Sequence, residues 1–144
     1  MAYVENYKSQ ITNFKQIPST NVQNSKQYDL EDRTLEFSKK LIRLVKSLPK
    51  NDINLILGRQ VTRSGTSIGA NYREANETET KKDFLFRLRT SRKEAKETVY
   101  WLNLIIEANP QLKEEIQPVL QESTELLKIL AAIILETMKE NKQS

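Results

Sequence analysis

The 144-residue sequence has no cysteine and no histidine. Without cysteine there is neither a disulfide framework nor a thiolate metal site, and nothing argues for an oxidising compartment. Without histidine, Ser-His-Asp and Cys-His catalysis, His-ligated zinc and the commonest general base are all excluded. Glycine is scarce too, at three residues, and no phosphate-cradling loop or paired-carboxylate signature stands out. These absences lead us to expect a protein that is not an enzyme and holds no metal or cofactor. The longest apolar run, Leu126 to Leu135, is about half of what a membrane span needs and is interrupted by Lys128. Met1 to Gln10 alternates polar and apolar residues, unlike the continuous apolar core of a signal peptide. A soluble, cytoplasmic protein with no membrane partner is the expectation.

Charge is plentiful but unevenly spread. The net charge of +4 and pI of about 9.2 are too mild by themselves to indicate nucleic acid. Residues 80–108, however, carry seven Lys and Arg against four acids, whereas residues 109–144 are net acidic. The positive charge is thus centred on the segment after Thr80.

Residues 1–28 read as a polar arm and linker, and residues 29–144 as one bundle domain. Within the arm, Tyr3, Tyr7, Ile11 and Phe14 recur at helical spacing before Pro18. The first long helix is expected from Leu30 to Ser47, capped by Asp29, ended by Pro49, with an apolar stripe of Leu30, Phe37, Leu41, Leu44, Val45 and Leu48. Asp52 is expected to cap the second helix, in which Ile53, Leu57, Val61, Ile68, Tyr72 and Ala75 share a core face. Beside that face Gly58, Gly65 and Gly69 form a bare stripe. Three helical glycines cost about 1 kcal/mol each relative to alanine, so a neighbouring helix should approach closely there. A break at Ser64-Gly65-Thr66 is the competing reading.

Thr80 and Asp83 resemble a capping box that opens a third helix. Its core face is expected at Phe84, Leu88, Ala95, Val99, Leu102 and Ile106. Lys82, Phe86, Arg89, Lys93, Lys96 and Tyr100 line up on another side, with Asp83, Glu94, Glu97 and Trp101 beside them. Tyr100 and Trp101 are read first as packing residues. Asn109 as N-cap and Pro110 at the first position should start a fourth helix, with Pro118 inside it. There Leu112, Ile116, Val119, Leu126, Leu127, Leu130, Ile133, Ile134 and Met138 form a core face, and Ile129 and Leu135 lie off it. So wide a stripe suggests burial on more than one side, as in an oligomer. Four long helices with short connections make an all-α, antiparallel, up-down-up-down four-helix bundle.

Between Tyr28 and Ile106 the sequence resembles the four-helix-bundle proteins encoded by intervening sequences of bacterial 23S ribosomal RNA. The resemblance rests on Tyr28-Asp29-Leu30, on Gln60, Arg63, Ser67-Ile68, Asn71 and Glu74 at their mutual spacing, and on Lys82-Asp83-Phe84 with Leu88 and then Glu97. It implies a subunit of a homopentameric barrel, similar to the accessory variability determinant proteins of diversity-generating retroelements, which bind nucleic acid and a reverse transcriptase through basic surfaces. The family-motif residues here are Arg63, Ser67, Asn71 and Glu74. Ser67, Asn71 and Glu74 are expected to satisfy one another or a buried Arg63 rather than to hold a ligand.

Two functional readings follow. In one, a non-catalytic homo-oligomer binds RNA or DNA with little sequence preference, touching phosphates through Lys82, Arg89, Lys93 and Lys96, and through Arg59 and Arg63. In the other, the charged stripes build the oligomer or dock a partner protein, making the molecule an interaction scaffold.

Overall fold

Asp29 opens α1 (Leu30–Ser47): its backbone is extended, and its side chain accepts a hydrogen bond from the Asp32 N–H at 2.9 Å. One of the donors that a helix start leaves bare is thereby satisfied. The computed structural model describes residues 29–143, so the arm and its expected amphipathic stretch lie outside the described residues. α2 (Asp52–Asn76) is capped by Asn51 and not by Asp52. Asn51 keeps extended backbone and its Oδ1 accepts from the Asn54 N–H at 2.8 Å. Asp52 becomes the first helical residue, where its charge suits the positive end of the helix dipole. Thr80 opens α3 (Lys81–Ala108), its hydroxyl accepting from the Asp83 N–H at 3.1 Å.

The start of the last helix also departs from expectation. Pro110–Leu112 form a short 3-10 turn, and α4 (Lys113–Gln143) begins after it and continues through Pro118. Asn109 makes no side-chain cap. It turns inward instead, its Nδ2 donating to Asn54 Oδ1 at 2.8 Å and to the Ile105 carbonyl at 2.9 Å. Asn54 Nδ2 in return donates to Asn109 Oδ1 and to the Pro49 carbonyl, both at 2.8 Å. This buried pair of amides ties the α1–α2 connection to the α3–α4 connection at one end of the bundle.

Each helix packs on its neighbour in sequence, α2 against α3 most extensively, then α3 against α4 and α1 against α2. With connections this short the helices run up, down, up and down. α1 meets α4 over a shorter stretch, fastened by Arg33, whose Nε and Nη2 donate to Glu122 Oε2 and Oε1 at 3.0 and 2.7 Å. The core between the helices holds Phe37, Leu41, Val61, Ile68, Tyr72, Phe84, Leu88, Ala95, Leu102, Ile116, Leu126 and Leu130.

The glycine stripe does what its position suggested, and α2 runs unbroken through Ser64-Gly65-Thr66. A Cβ on Gly58 would come within 3.1 Å of Val45 Cγ1, one on Gly65 would overlap Leu41 Cδ2, and one on Gly69 would lie 2.8 Å from Thr34 Oγ1. α1 therefore nests into the stripe. On the other side of α2, Ser64 and Thr98 share a hydrogen bond at 2.8 Å and Ser91 Oγ donates to the Ile68 carbonyl at 2.7 Å. Small hydroxyl residues fill this contact, and they rotate the buried face of α3: Leu85, Ser91, Thr98 and Ile105 are buried, while Val99 and Ile106 are half-buried.

Two other core assignments are overturned. Ile53 is 56% exposed, because the start of α2 turns Asn54 rather than Ile53 toward the buried amide pair. Met138 is 38% exposed at the edge of the α3–α4 contact. Conversely, Leu127 and Ile129 pack against this chain's own core, so the wide stripe of α4 is largely absorbed within the bundle.

Candidate nucleic-acid interface

Burial of Phe84, Leu88, Ser91, Ala95, Thr98 and Leu102 fixes the rotation of α3. At about 100° per residue the opposite side carries Lys82, Phe86, Arg89, Lys93, Lys96 and Tyr100, and all six are exposed. The stripe is thus the outward face of α3. Among the described residues Lys82, Lys93 and Lys96 have no ion-pair partner. Among the described residues Arg89 meets the thioether of Met138 on α4, its Nη2 3.6 Å from Sδ, and no carboxylate. Four cations stand along one helix without an ion pair to any described carboxylate.

Two members of the neighbouring acidic stripe, Glu94 and Glu97, are paired within the chain. Arg63 on α2 donates from Nη2 to Glu97 Oε2 at 2.6 Å and from Nη1 to Glu94 Oε2 at 3.3 Å. The hydrogen bond to Glu97, followed by the nearby charge of Glu94, holds the Arg63 guanidinium above its ordinary pKa. That pair sits at the surface, so its net contribution to stability is small. Arg63 brings one positive charge to the two carboxylates that lie beside the basic face.

Arg63 is therefore exposed and ion-paired, and the expected buried arginine is absent. Ser67 and Asn71 do not satisfy its side chain. Ser67 Oγ donates to the Arg63 carbonyl at 2.6 Å, and Asn71 Nδ2 to the Ser67 carbonyl at 2.9 Å, the usual recourse of short polar side chains inside a helix. Asn71 Oδ1 accepts from Arg87 Nη1 at 3.5 Å, and Glu74 is exposed. Arg59 stands apart from the α3 stripe. It lines an open groove of about 780 Å³ between α1 and α2, with Val45, Leu48, Leu55, Gly58 and Thr62.

The aromatics depart furthest from expectation. Tyr100 is 58% exposed and so is no packing residue, and Phe86 is 62% exposed. Trp101, half-buried, meets the Tyr100 ring edge-on, with centroids 5.0 Å apart and planes at 70°. The Arg87 guanidinium lies 5.8 Å from the Phe86 centroid. Adjacent residues in sequence make both contacts, so the only prior signal was the pairing of Phe86 with Arg87 and of Tyr100 with Trp101.

Residues 26–132 match the family described as 23S rRNA-intervening sequence protein. The chain belongs to this family. A solved structure of a protein of unknown function from the S23 ribosomal protein family of Bacteroides thetaiotaomicron VPI-5482 is similar, at 39% identity and a TM-score of 0.67, over 72% of this chain and 96% of that one. No curated protein matches the chain significantly. The family match begins just before Asp29 and contains α1, α2, α3 and most of α4, so the basic face lies wholly within it. Among the described residues no helix is long and apolar enough to cross a membrane, and no group of three carboxylates is placed to hold a metal ion.

Proposed function

We propose that this member of the intervening-sequence protein family is a non-catalytic, cytoplasmic homo-oligomer, pentameric as the resemblance implies, that binds RNA or DNA through the outward face of α3. The observation that carries the proposal is the row of Lys82, Arg89, Lys93 and Lys96, exposed and without carboxylate partners among the described residues. Phosphate contact by such a row releases condensed counterions, so affinity is electrostatic and steeply salt-dependent. Sequence preference is slight, because phosphate contacts position a strand without reading its bases. Repetition around a ring concentrates a charge that is modest in one subunit.

The test is titration of labelled mixed-sequence nucleic acid with the purified full chain across a salt series. The log of the binding constant should fall linearly with log salt. Changing Arg89, Lys93 and Lys96 together to Gln should abolish binding near physiological salt, with the helical signal and assembly mass unchanged. Equal binding by the triple variant would exclude this face. Loss of the assembly would instead place the stripe in a subunit contact and favour the scaffold reading, for which exposed Leu35, Ile42, Ile53, Leu55 and Ile56 on α1 and α2 already speak.

A further inference from the structure

Phe86 and Tyr100 punctuate the basic face: along the helix the order is Lys82, Phe86, Arg89, Lys93, Lys96, Tyr100. The two rings are 14 positions apart, so about 21 Å separates them along the axis, with three cations between. Phe86 and Tyr100 are 62% and 58% exposed, so more than half of each residue faces water. Each ring is also steadied from one side, Phe86 by the Arg87 guanidinium and Tyr100 by the edge of Trp101. Arg87 is itself half-buried and hydrogen-bonded to Asn71, and Trp101 packs against the core, so the supports are anchored in the bundle. What results is two pre-positioned aromatic surfaces flanking a run of phosphate-binding charge.

We infer that the ligand of this face is single-stranded nucleic acid, with unpaired bases stacked on Phe86 and Tyr100 and the intervening backbone tracked by Arg89, Lys93 and Lys96; the inference rests on the nucleic-acid reading above. Stacking on aromatic rings between cations is how non-sequence-specific single-strand binders gain affinity, because every base has a π face. A duplex offers no such surface. Its bases are already stacked and only their edges are exposed, so a ring on a convex helix face has nothing to stack on. α3 packs on both α2 and α4 and presents one outward face. Phe86 and Tyr100 would therefore be idle on a duplex and productive on a strand.

The experiment compares a labelled single strand of mixed sequence with the duplex of the same sequence, as DNA and as RNA, by fluorescence anisotropy on the full chain at fixed salt. The strand should bind at least about tenfold more tightly than the duplex, and Phe86→Ala or Tyr100→Ala should each weaken strand binding about tenfold while leaving duplex binding unchanged. Neither ring carries charge, so the salt slope of the alanine variants should equal that of the parent, unlike that of the Arg89, Lys93 and Lys96 variant. Tyr100→Phe should retain strand affinity. The protein has one tryptophan, and it touches Tyr100, so strand binding should also change the Trp101 emission in the parent and not in Tyr100→Ala. Equal affinity for strand and duplex, or alanine variants that bind the strand like the parent, overturns the inference while leaving electrostatic binding in place. No binding of either form overturns the underlying reading. Loss of assembly mass in the alanine variants assigns the rings to a subunit contact and also overturns it.

Discussion

At the level of single residues the three glycines of α2 are alike in sequence and unlike in what faces them. A methyl at Gly58 needs Val45, half-buried, to shift by a few tenths of an ångström, while alanine gains about 1 kcal/mol of helix propensity. Gly58→Ala should therefore be neutral or slightly stabilising. At Gly69 the obstacle is Thr34, whose hydroxyl is held to the carbonyls of Leu30 and Glu31 at 2.8 and 3.0 Å and cannot swing away. Gly69→Ala should lose roughly 1–2 kcal/mol, overpacking exceeding the propensity gain. Gly65→Leu, driven into buried Leu41 and Phe37, should lose more than about 2 kcal/mol. Urea denaturation of the three variants gives the order, and a Gly69→Ala protein more stable than the parent would refute the close approach of α1. Tyr72 makes a second residue-scale case. Its hydroxyl is buried beside Asn76 without a well-formed hydrogen bond, and burial pushes its pKa well above the ordinary value near 10. The folded state thus holds the proton more tightly than the unfolded one. That contribution is fully present below pH 10 and is lost as pH rises above it. Stability should fall on alkaline titration beyond about pH 10, and Tyr72→Phe should flatten this fall while costing little at neutral pH, since the lost hydroxyl had no partner.

At the level of elements, periodicity and caps made the helices legible, and the connections were where reading failed. Asp29 and Thr80 cap as their types predict, but Asn51 and Asp52 are adjacent and both are good caps, so only the backbone decides between them. Asn109 misled for a physical reason: its preference for capping is local, whereas its partner Asn54 is 55 residues away, and no local pattern encodes a long-range amide pair. The basic face was legible because six residues at helical spacing stay together whatever the helix packs against. The engagement of Glu94 and Glu97 by Arg63 was not, since it depends on the register of α2 against α3. The amide pair predicts its own measurement. Asn109→Ala leaves buried Asn54 with one donor and one acceptor fewer satisfied, and should destabilise by about 1–3 kcal/mol. Replacing both by Leu should cost less than the sum of the single Leu replacements, because no orphaned amide remains, and a double-mutant cycle in urea that proves additive would show the two amides to be uncoupled.

For the whole molecule the question is which surface remains for assembly once the bundle has closed. The sequence pointed to α4, yet most of that helix's wide stripe is consumed by the chain's own core, leaving Leu135 and Met138 exposed. Five of the nine large exposed hydrophobics among the described residues lie instead on α1 and α2, namely Leu35, Ile42, Ile53, Leu55 and Ile56. Leu35 and Ile42 are seven apart and share a face of α1, and Ile53 and Ile56 are three apart and share one of α2. These exposed apolar residues on α1 and α2 are the ones we propose for subunit contact. Assembly through α1 and α2 leaves the outward face of α3 free in every subunit, whereas assembly through α3 would cover it. The full chain should therefore sediment at equilibrium well above its 16.8 kDa, and a monomer at tens of micromolar would end the oligomer proposal. Ile42→Lys combined with Ile56→Lys should lower that mass and keep the helical signal. It should also weaken binding to a long strand far more than to a strand that fills one subunit, since only the multivalent part of the affinity depends on assembly. A variant that dissociates while binding long and short strands as the parent does would separate assembly from binding and leave each α3 face to act alone.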